Sequence, residues 1–193
     1  VVFKEEDMVE PKSPDHNFVL QDYYDNPEKY RSVMETYLPY LTVLINSIYW
    51  DERYPRIITN DFIKRLLEDE KSPVLKVVGD ISCDLEGAIE CTLEITKPDN
   101  PTFVYNPSEK ACNLGYEGEG LVIMAVDNLP CEFPRESSNE FSHILVEFVP
   151  EIVDADFSGD FENCDLPDPI KRAVILYHGE LTPKYKYIEE FMD

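Results

Sequence analysis

The chain has 193 residues, 43% of them hydrophobic, and sets 40 Asp and Glu against 17 Lys and Arg for a formal charge of −23. That is enough apolar residue for one α/β domain with a core, or a domain and an appendage, and it argues against wholesale disorder. A surface this acidic repels phosphate backbones and anionic membranes, so nucleic-acid and membrane-surface roles are set aside and the charge is read as solubility.

In chain order, residues 1–3 read as a strand remnant and an irregular acidic stretch follows to residue 25. The opening VVFKEEDMVEPK turns acidic within five residues, so a secretory leader is not expected. Asp25-Asn26-Pro27-Glu28 reads as a helix start, with a capping side chain and Pro in the first turn, and the helix is expected to reach Tyr37. LTVLINSIYW (41–50) reads as a buried strand; Pro39, Thr42, Asn46 and Ser47 interrupt the surrounding apolar run, which is too short to span a membrane. Thr59-Asn60-Asp61 can cap a short helix to Glu68, and a strand over 75–79 follows.

Residues 87–95 are expected to form a short helix, and 98–120 a Pro- and Gly-rich connector with one extended piece at 102–105. A strand over 121–126 comes next, then a helix from Pro134 to Val149, a loop over 150–170, a small strand at 173–177 and a last helix over 183–192. Strands alternating with helices imply a parallel α/β layer. With three long strands where a complete dinucleotide-binding sheet has about six, it reads as half a domain. The expected division is 1–150 for the sheet domain and 151–193 for an acidic loop and a C-terminal tail packing on it.

Two apolar runs stop on aspartate-bearing turns: LKVVGDISCDLEG (75–87) and GLVIMAVDNLP (120–130). Continuous Val/Ile/Leu runs read as strands buried on both faces of a parallel sheet, and ligands sit beyond the carboxyl ends of such strands. Asp80 and Asp84 bracket Ile81-Ser82-Cys83, and Asp127-Asn128 hold the matching place on the later strand. An aspartate can anchor a hydroxyl, an amide or an amine, and Asn128 offers a donor and an acceptor suited to a carboxamide. The alternative, that Asp80, Asp84 and Asn128 only cap following helices, stays open.

Other motifs carry less. The cluster Gly115, Gly118, Gly120 reads GxxGxG ahead of a strand, a turn rather than a phosphate loop, and no GxGxxG occurs. In DADFSGDFENCD (154–165), Asp154, Asp156, Ser158, Gly159, Glu162 and Asp165 imitate calcium-loop positions. Asp stands where the bidentate Glu belongs, however, and Pro167 and Pro169 argue against the required exiting helix, so a solvated acidic loop is expected and no metal is assigned. His16, His143 and His178 are scattered, without a nucleophile signature. Five cysteines (Cys83, Cys91, Cys112, Cys131, Cys164), with no CxxC, fit reduced thiols in an intracellular protein.

Four segments together resemble the lysine–2-oxoglutarate reductase (saccharopine-forming) region of the bifunctional aminoadipate-semialdehyde synthases. More distantly they resemble the cofactor domains of alanine dehydrogenase and transhydrogenase. They are DYYDNPEKYRSVMETYLPYLTVLINSIYWDERYPRIIT (22–59), VGDISCDLEGAIE (78–90) with DNPTFVYNP after it, MAVDNLPCEFPRESSNEF (124–141) and LTPKYKYIEEF (181–191). The resemblance implies a partial Rossmann-like sheet, the C-terminal half of a dinucleotide-binding domain, with a helical tail. It implies that Ile48, Ile81, Ser82, Cys83 and Asp84, with Val126, Asp127, Asn128 and Leu129, bind NADP in preference to NAD. Asp84 falls where alanine dehydrogenase relatives have an aspartate implicated in catalysis, and it is expected to orient substrate or nicotinamide.

The implied reaction is reductive condensation of L-lysine with 2-oxoglutarate, hydride coming from NADPH, in lysine degradation in the cytoplasm or mitochondrial matrix. Glu86 stands where the family's DxGG turn has a glycine. The substrate domain with its Lys/His acid–base pair and the first cofactor strand with its glycine loop have no counterpart in these residues. The expected partner is therefore that missing N-terminal half, and the chain alone is expected to be inactive. The rival readings are a non-catalytic interaction module and an alanine dehydrogenase relative; oligomeric state, a homo-oligomer included, stays open.

Overall fold

A computed structural model describes residues 1–69 and 73–192. The chain divides into two compact units, Val1–Glu132 and Phe133–Asp193, so the helix that begins at Pro134 goes with the second unit rather than with the first 150 residues.

The first unit opens on helix α1 (Glu5–Met8), strand β1 (Val9–Pro11), helix α2 (Leu20–Asp25) and strand β2 (Tyr30–Ser32), with β1 and β2 antiparallel. This replaces both the strand expected at 1–3 and the helix expected over 27–37. Pro27 starts only one 3-10 turn, Pro27–Lys29, and Tyr30 then swings edge-on against Tyr23 at 5.2 Å. Val9, Tyr23 and Tyr30 bury together with Phe18 and Tyr54 against them, and that aromatic burial overrides the helical periodicity.

The main sheet contains β3 (Val43–Asn46), β4 (Val77–Asp80), β5 (Thr102–Asn106), β6 (Ala111–Leu114) and β7 (Leu121–Met124) in the order β3-β4-β7-β5-β6. β3, β4 and β7 are parallel, while β5 and β6 form an antiparallel hairpin on the far side. The connector thus supplies two strands rather than one extended piece. The core gathers on these strands and on α3 (Asn60–Asp69), with Ile58, Ile63, Leu75, Val78, Ile89, Phe103, Leu121 and Ile123 almost wholly buried. Thr59 caps α3 as expected, its Oγ1 accepting from Phe62 N at 3.2 Å.

Two further expectations fail for physical reasons. β3 is buried at alternate residues only, because it is the end strand; Val43 and Ile45 are exposed and Leu44 and Asn46 are not. Residues 87–95 are not helical, since their backbone groups go elsewhere. Ala88 O accepts from Ile57 N and Ile58 N, Glu90 N donates to Ile58 O, and Ile58 and Ile89 form a parallel bridge. Gly120 (φ 144°) is a close-approach glycine: a Cβ there would lie 2.2 Å from Tyr105 O, which is why the GxxGxG turn ends on it.

The second unit holds α4 (Pro134–Val146), α5 (Val149–Asp154), α6 (Asp168–Ala173), the hairpin β8 (Leu176–Tyr177) and β9 (Glu180–Leu181), and a 3-10 run over Pro183–Phe191. Pro134 sits in the first turn of α4, as its missing N–H allows. The same allowance lets α5 and α6 form around Pro150 and Pro169 in a stretch expected to be loop. His178 occupies the hairpin turn at φ 50° and contacts Phe157 O at 2.7 Å through Nε2.

Candidate functional site

Because β3, β4 and β7 are parallel, their carboxyl ends and the turns leaving them lie along one end of the sheet. Asn46 and Asp80 are register partners that close β3 and β4, and both are buried. Asn46 Nδ2 donates to Asp80 Oδ1 at 2.8 Å, and Thr92 Oγ1 donates to Asp80 Oδ2 at 2.6 Å. Ile81 N donates to Asn46 O at 2.7 Å, and Ser82 Oγ donates to Ile48 O at 2.6 Å. The turns after β3 and β4 are therefore tied together by side chain and backbone.

Residues 81–87 form a tight, constrained turn. Cys83 (φ 55°) and Glu86 (φ 50°) are both left-handed, a conformation costing a non-glycine residue about 1–2 kcal/mol. Glu86 holds a backbone shape that a glycine adopts without strain. Gly87 has no such latitude: a Cβ on it would lie 2.5 Å from Asp84 Cβ. From behind, Arg56 donates to Glu86 O at 2.9 Å and Gly87 O at 3.1 Å, lies over the Trp50 ring at 5.6 Å and pairs with Glu90 at 3.7 Å.

Electrostatics bring the two aspartate turns together. Burial, then the charges of Asp80, Asp127 and Asp84, push the Cys83 thiol up to about 11. Cys83 is thus a protonated packing residue at neutral pH, donating to Asp80 O at 3.1 Å, and not a nucleophile. Desolvation by the groups crowding the turn, and after it the charge of Asp80, raise the Asp84 carboxyl above the usual aspartate range. A carboxyl shifted that way holds its proton to higher pH and is suited to exchanging a hydrogen bond or a proton with a ligand.

The nine sequence-derived site residues do not all face outward. Ile81, Asp84, Asp127 and Asn128 are exposed, and Ile48, Ser82 and Leu129 are half-buried. Cys83 and Val126 are buried, Val126 bridging to Thr96, so their side chains belong to the core and only their backbones are on offer. Asn46, Thr92, Arg56 and Trp50 escaped the sequence reading. Asn46 carried a signal, as the polar residue ending the apolar part of LTVLIN; Thr92 carried none.

Asn46 also bears on whether a cofactor fits. Its Oδ1 is buried at the end of β3 without a hydrogen-bond partner, an acceptor awaiting a donor. A nicotinamide dinucleotide offers such donors in its ribose hydroxyls and carboxamide, so the residues present fit the group. Among the described residues no cluster of His, Cys, Asp or Glu is arranged to hold a metal ion, and no helix is long and apolar enough to cross a membrane. In the acidic loop, Asp156 and Asp165 spend carboxylate oxygens on Ser158 N and Asp156 N.

Residues 28–184 match the family described as alanine dehydrogenase/PNT, C-terminal domain. Over 190 residues, 97% of the chain, the sequence is 40% identical to an alpha-aminoadipic semialdehyde synthase of Arabidopsis thaliana, of which it covers 17%. The mitochondrial synthase of Bos taurus is 34% identical over 89% of the chain and is 20% covered. An L-lysine-forming, NAD(+)-dependent saccharopine dehydrogenase of Schizosaccharomyces pombe is 29% identical over 59% of the chain, with 28% of it covered. The chain spans a fifth or less of the length of the synthases it matches.

Proposed function

Since the chain belongs to the alanine dehydrogenase/PNT C-terminal domain family, we propose that it forms the nicotinamide side of the cofactor site in a saccharopine-forming lysine–2-oxoglutarate reductase. The observation that carries this is the convergence of the β3, β4 and β7 ends on Asn46, the 81–84 turn and Asp127-Asn128, in a chain so similar to the synthases. When bound, the reduced nicotinamide supplies the hydride that reduces the imine formed from lysine and 2-oxoglutarate.

The residues of this chain bind, orient and move a proton. Ile48 and Ile81 offer apolar surface against a flat ring, and the backbone of residues 81–84 and 126–129 brackets it. Asn128 and the free oxygen of Asn46 take up hydroxyl or carboxamide donors. Asp84, protonated to higher pH than an ordinary aspartate, orients the substrate amine or the nicotinamide. NADPH is favoured over NADH, and the setting is the cytoplasm or mitochondrial matrix. A substrate domain and a glycine loop act from outside these 193 residues, because no GxGxxG stands between a strand and a helix here.

The full-length protein is expected to oxidise NADPH only when L-lysine and 2-oxoglutarate are both present, and faster than it oxidises NADH. Failure to do so removes the reading and leaves the interaction-module alternative. Isothermal titration of this chain alone is expected to give no tight NADPH binding; micromolar affinity would overturn the division of the site.

A further inference from the structure

The Asp84 turn is held from below by groups that the functional reading does not use. Asp80 is 1% exposed, and its carboxylate is occupied on both oxygens, by Asn46 and by Thr92. Thr92, fully buried, grips the turn at both ends. Its hydroxyl reaches Asp80 on the near side, and its carbonyl accepts Glu86 N–H at 2.9 Å on the far side. Thr92 N–H is itself anchored to Ile89 O at 3.0 Å. Between those fixed points lies Asp84, whose carbonyl accepts Gly87 N–H at 3.0 Å.

We propose that Asp80 and Thr92 are positioning residues for Asp84, fixing the 80–86 turn so that the Asp84 carboxyl meets the ligand in one orientation. The inference rests on the proposed function only for the identity of that ligand. Two left-handed non-glycine residues in seven cost energy that an unsupported turn would shed by relaxing, and such strain persists only where the surroundings over-determine it. Thr92 and Asp80 are those surroundings, with Arg56 holding the carbonyls of Glu86 and Gly87. The other ionisable groups around the turn are Cys83, Asp127, Glu86 and Glu90. Desolvation and, after it, the charge of Asp80 act on the Asp84 carboxyl, so Asp80 bears on its proton as well as on the shape of the turn.

The test follows the carbon-13 carboxyl signal of Asp84 through a pH titration of this chain, as native protein and as Thr92→Val, Thr92→Ser and Asp80→Asn. Thr92→Val removes the hydroxyl at constant shape and is expected to move the Asp84 midpoint and shift the amide signals of residues 81–86; Thr92→Ser is expected to restore both. Asp80→Asn removes the charge and is expected to lower the midpoint. In the full-length protein Thr92→Val is expected to lower kcat roughly tenfold while KM for NADPH stays within about twofold. An Asp84 titration unchanged in Thr92→Val and Asp80→Asn overturns the proposal, and so does a serine variant that behaves like valine. Should Asp80→Asn fail to fold, the valine and serine pair decides alone. Absence of NADPH oxidation by the native protein would sink the functional reading and leave the titration to judge this one.

Discussion

The turn after β4 and the turn after β7 both leave a buried strand on an aspartate, yet they are held in opposite ways. Residues 80–92 are bound by Asn46, Thr92, Arg56 and Ser82 through buried or half-buried hydrogen bonds, with two left-handed residues locked between them. Asp127 and Asn128 stand exposed, stiffened by the bond from Cys131 N to Asn128 O at 2.9 Å and the short 3-10 turn Leu129–Glu132. The first turn is tied in at many points; the second is tied at few and leaves its polar side chains in solvent. On the proposed function, a site made from both sets a many-point-anchored turn carrying Asp84 beside a lightly tied turn carrying Asn128.

The contrast breaks most readily at Asp80. Asp80→Ala leaves the Asn46 amide and the Thr92 hydroxyl buried without acceptors and is expected to cost about 3 kcal/mol in urea unfolding. Asp127→Ala, on the exposed turn, is expected to stay within about 0.5 kcal/mol. Equal losses would erase the distinction. Next in size, Gly87→Ala forces a Cβ to within 2.5 Å of Asp84 Cβ. The expected loss is about 1–3 kcal/mol, with amide shifts spreading across 81–87.

Smaller effects sharpen the comparison. Glu86→Gly relieves one left-handed side chain but gives the unfolded chain more freedom, so a net gain of at most about 1 kcal/mol is expected, read as a rise in the urea midpoint. Asp84 contributes a pH dependence of definite sign. Its folded carboxyl is raised, so the native state binds more protons than the unfolded chain between the ordinary aspartate value and the raised one. Stability from this group is complete below that window and declines as pH rises through it. Asp84→Asn is expected to flatten that part of a Tm-against-pH profile.

What was legible in the sequence follows from what its patterns encode. VVGD and LVIMAVDN showed their strand ends because a continuous apolar run marks a buried strand and the acid marks where it stops, and Thr59 and Pro134 marked helix starts through local chemistry. The helix expected over 27–37 was lost to the pairing of β2 with β1, about twenty positions upstream, and to the burial of Tyr30 against Tyr23, seven positions upstream. The helix at 87–95 was lost to hydrogen bonds with Ile57 and Ile58, thirty residues upstream. Within the site the resemblance supplied Asp84 and its neighbours, while the supporting residues stayed hidden. Thr92 is an unremarkable threonine until the fold brings it under Asp80.

The most direct test of the central claim, that these strand ends are one cofactor site, is a nitrogen-15 amide map of this chain titrated with NADPH to millimolar concentration. The account expects shifts at Ile48, Ile81 to Asp84 and Asp127 to Leu129. It also expects none at the opposite end of the sheet, where Lys64, Asn106 and Gly120 line a separate cavity of about 610 Å³. Shifts gathered at that opposite end, with the strand-end amides unmoved, would contradict it.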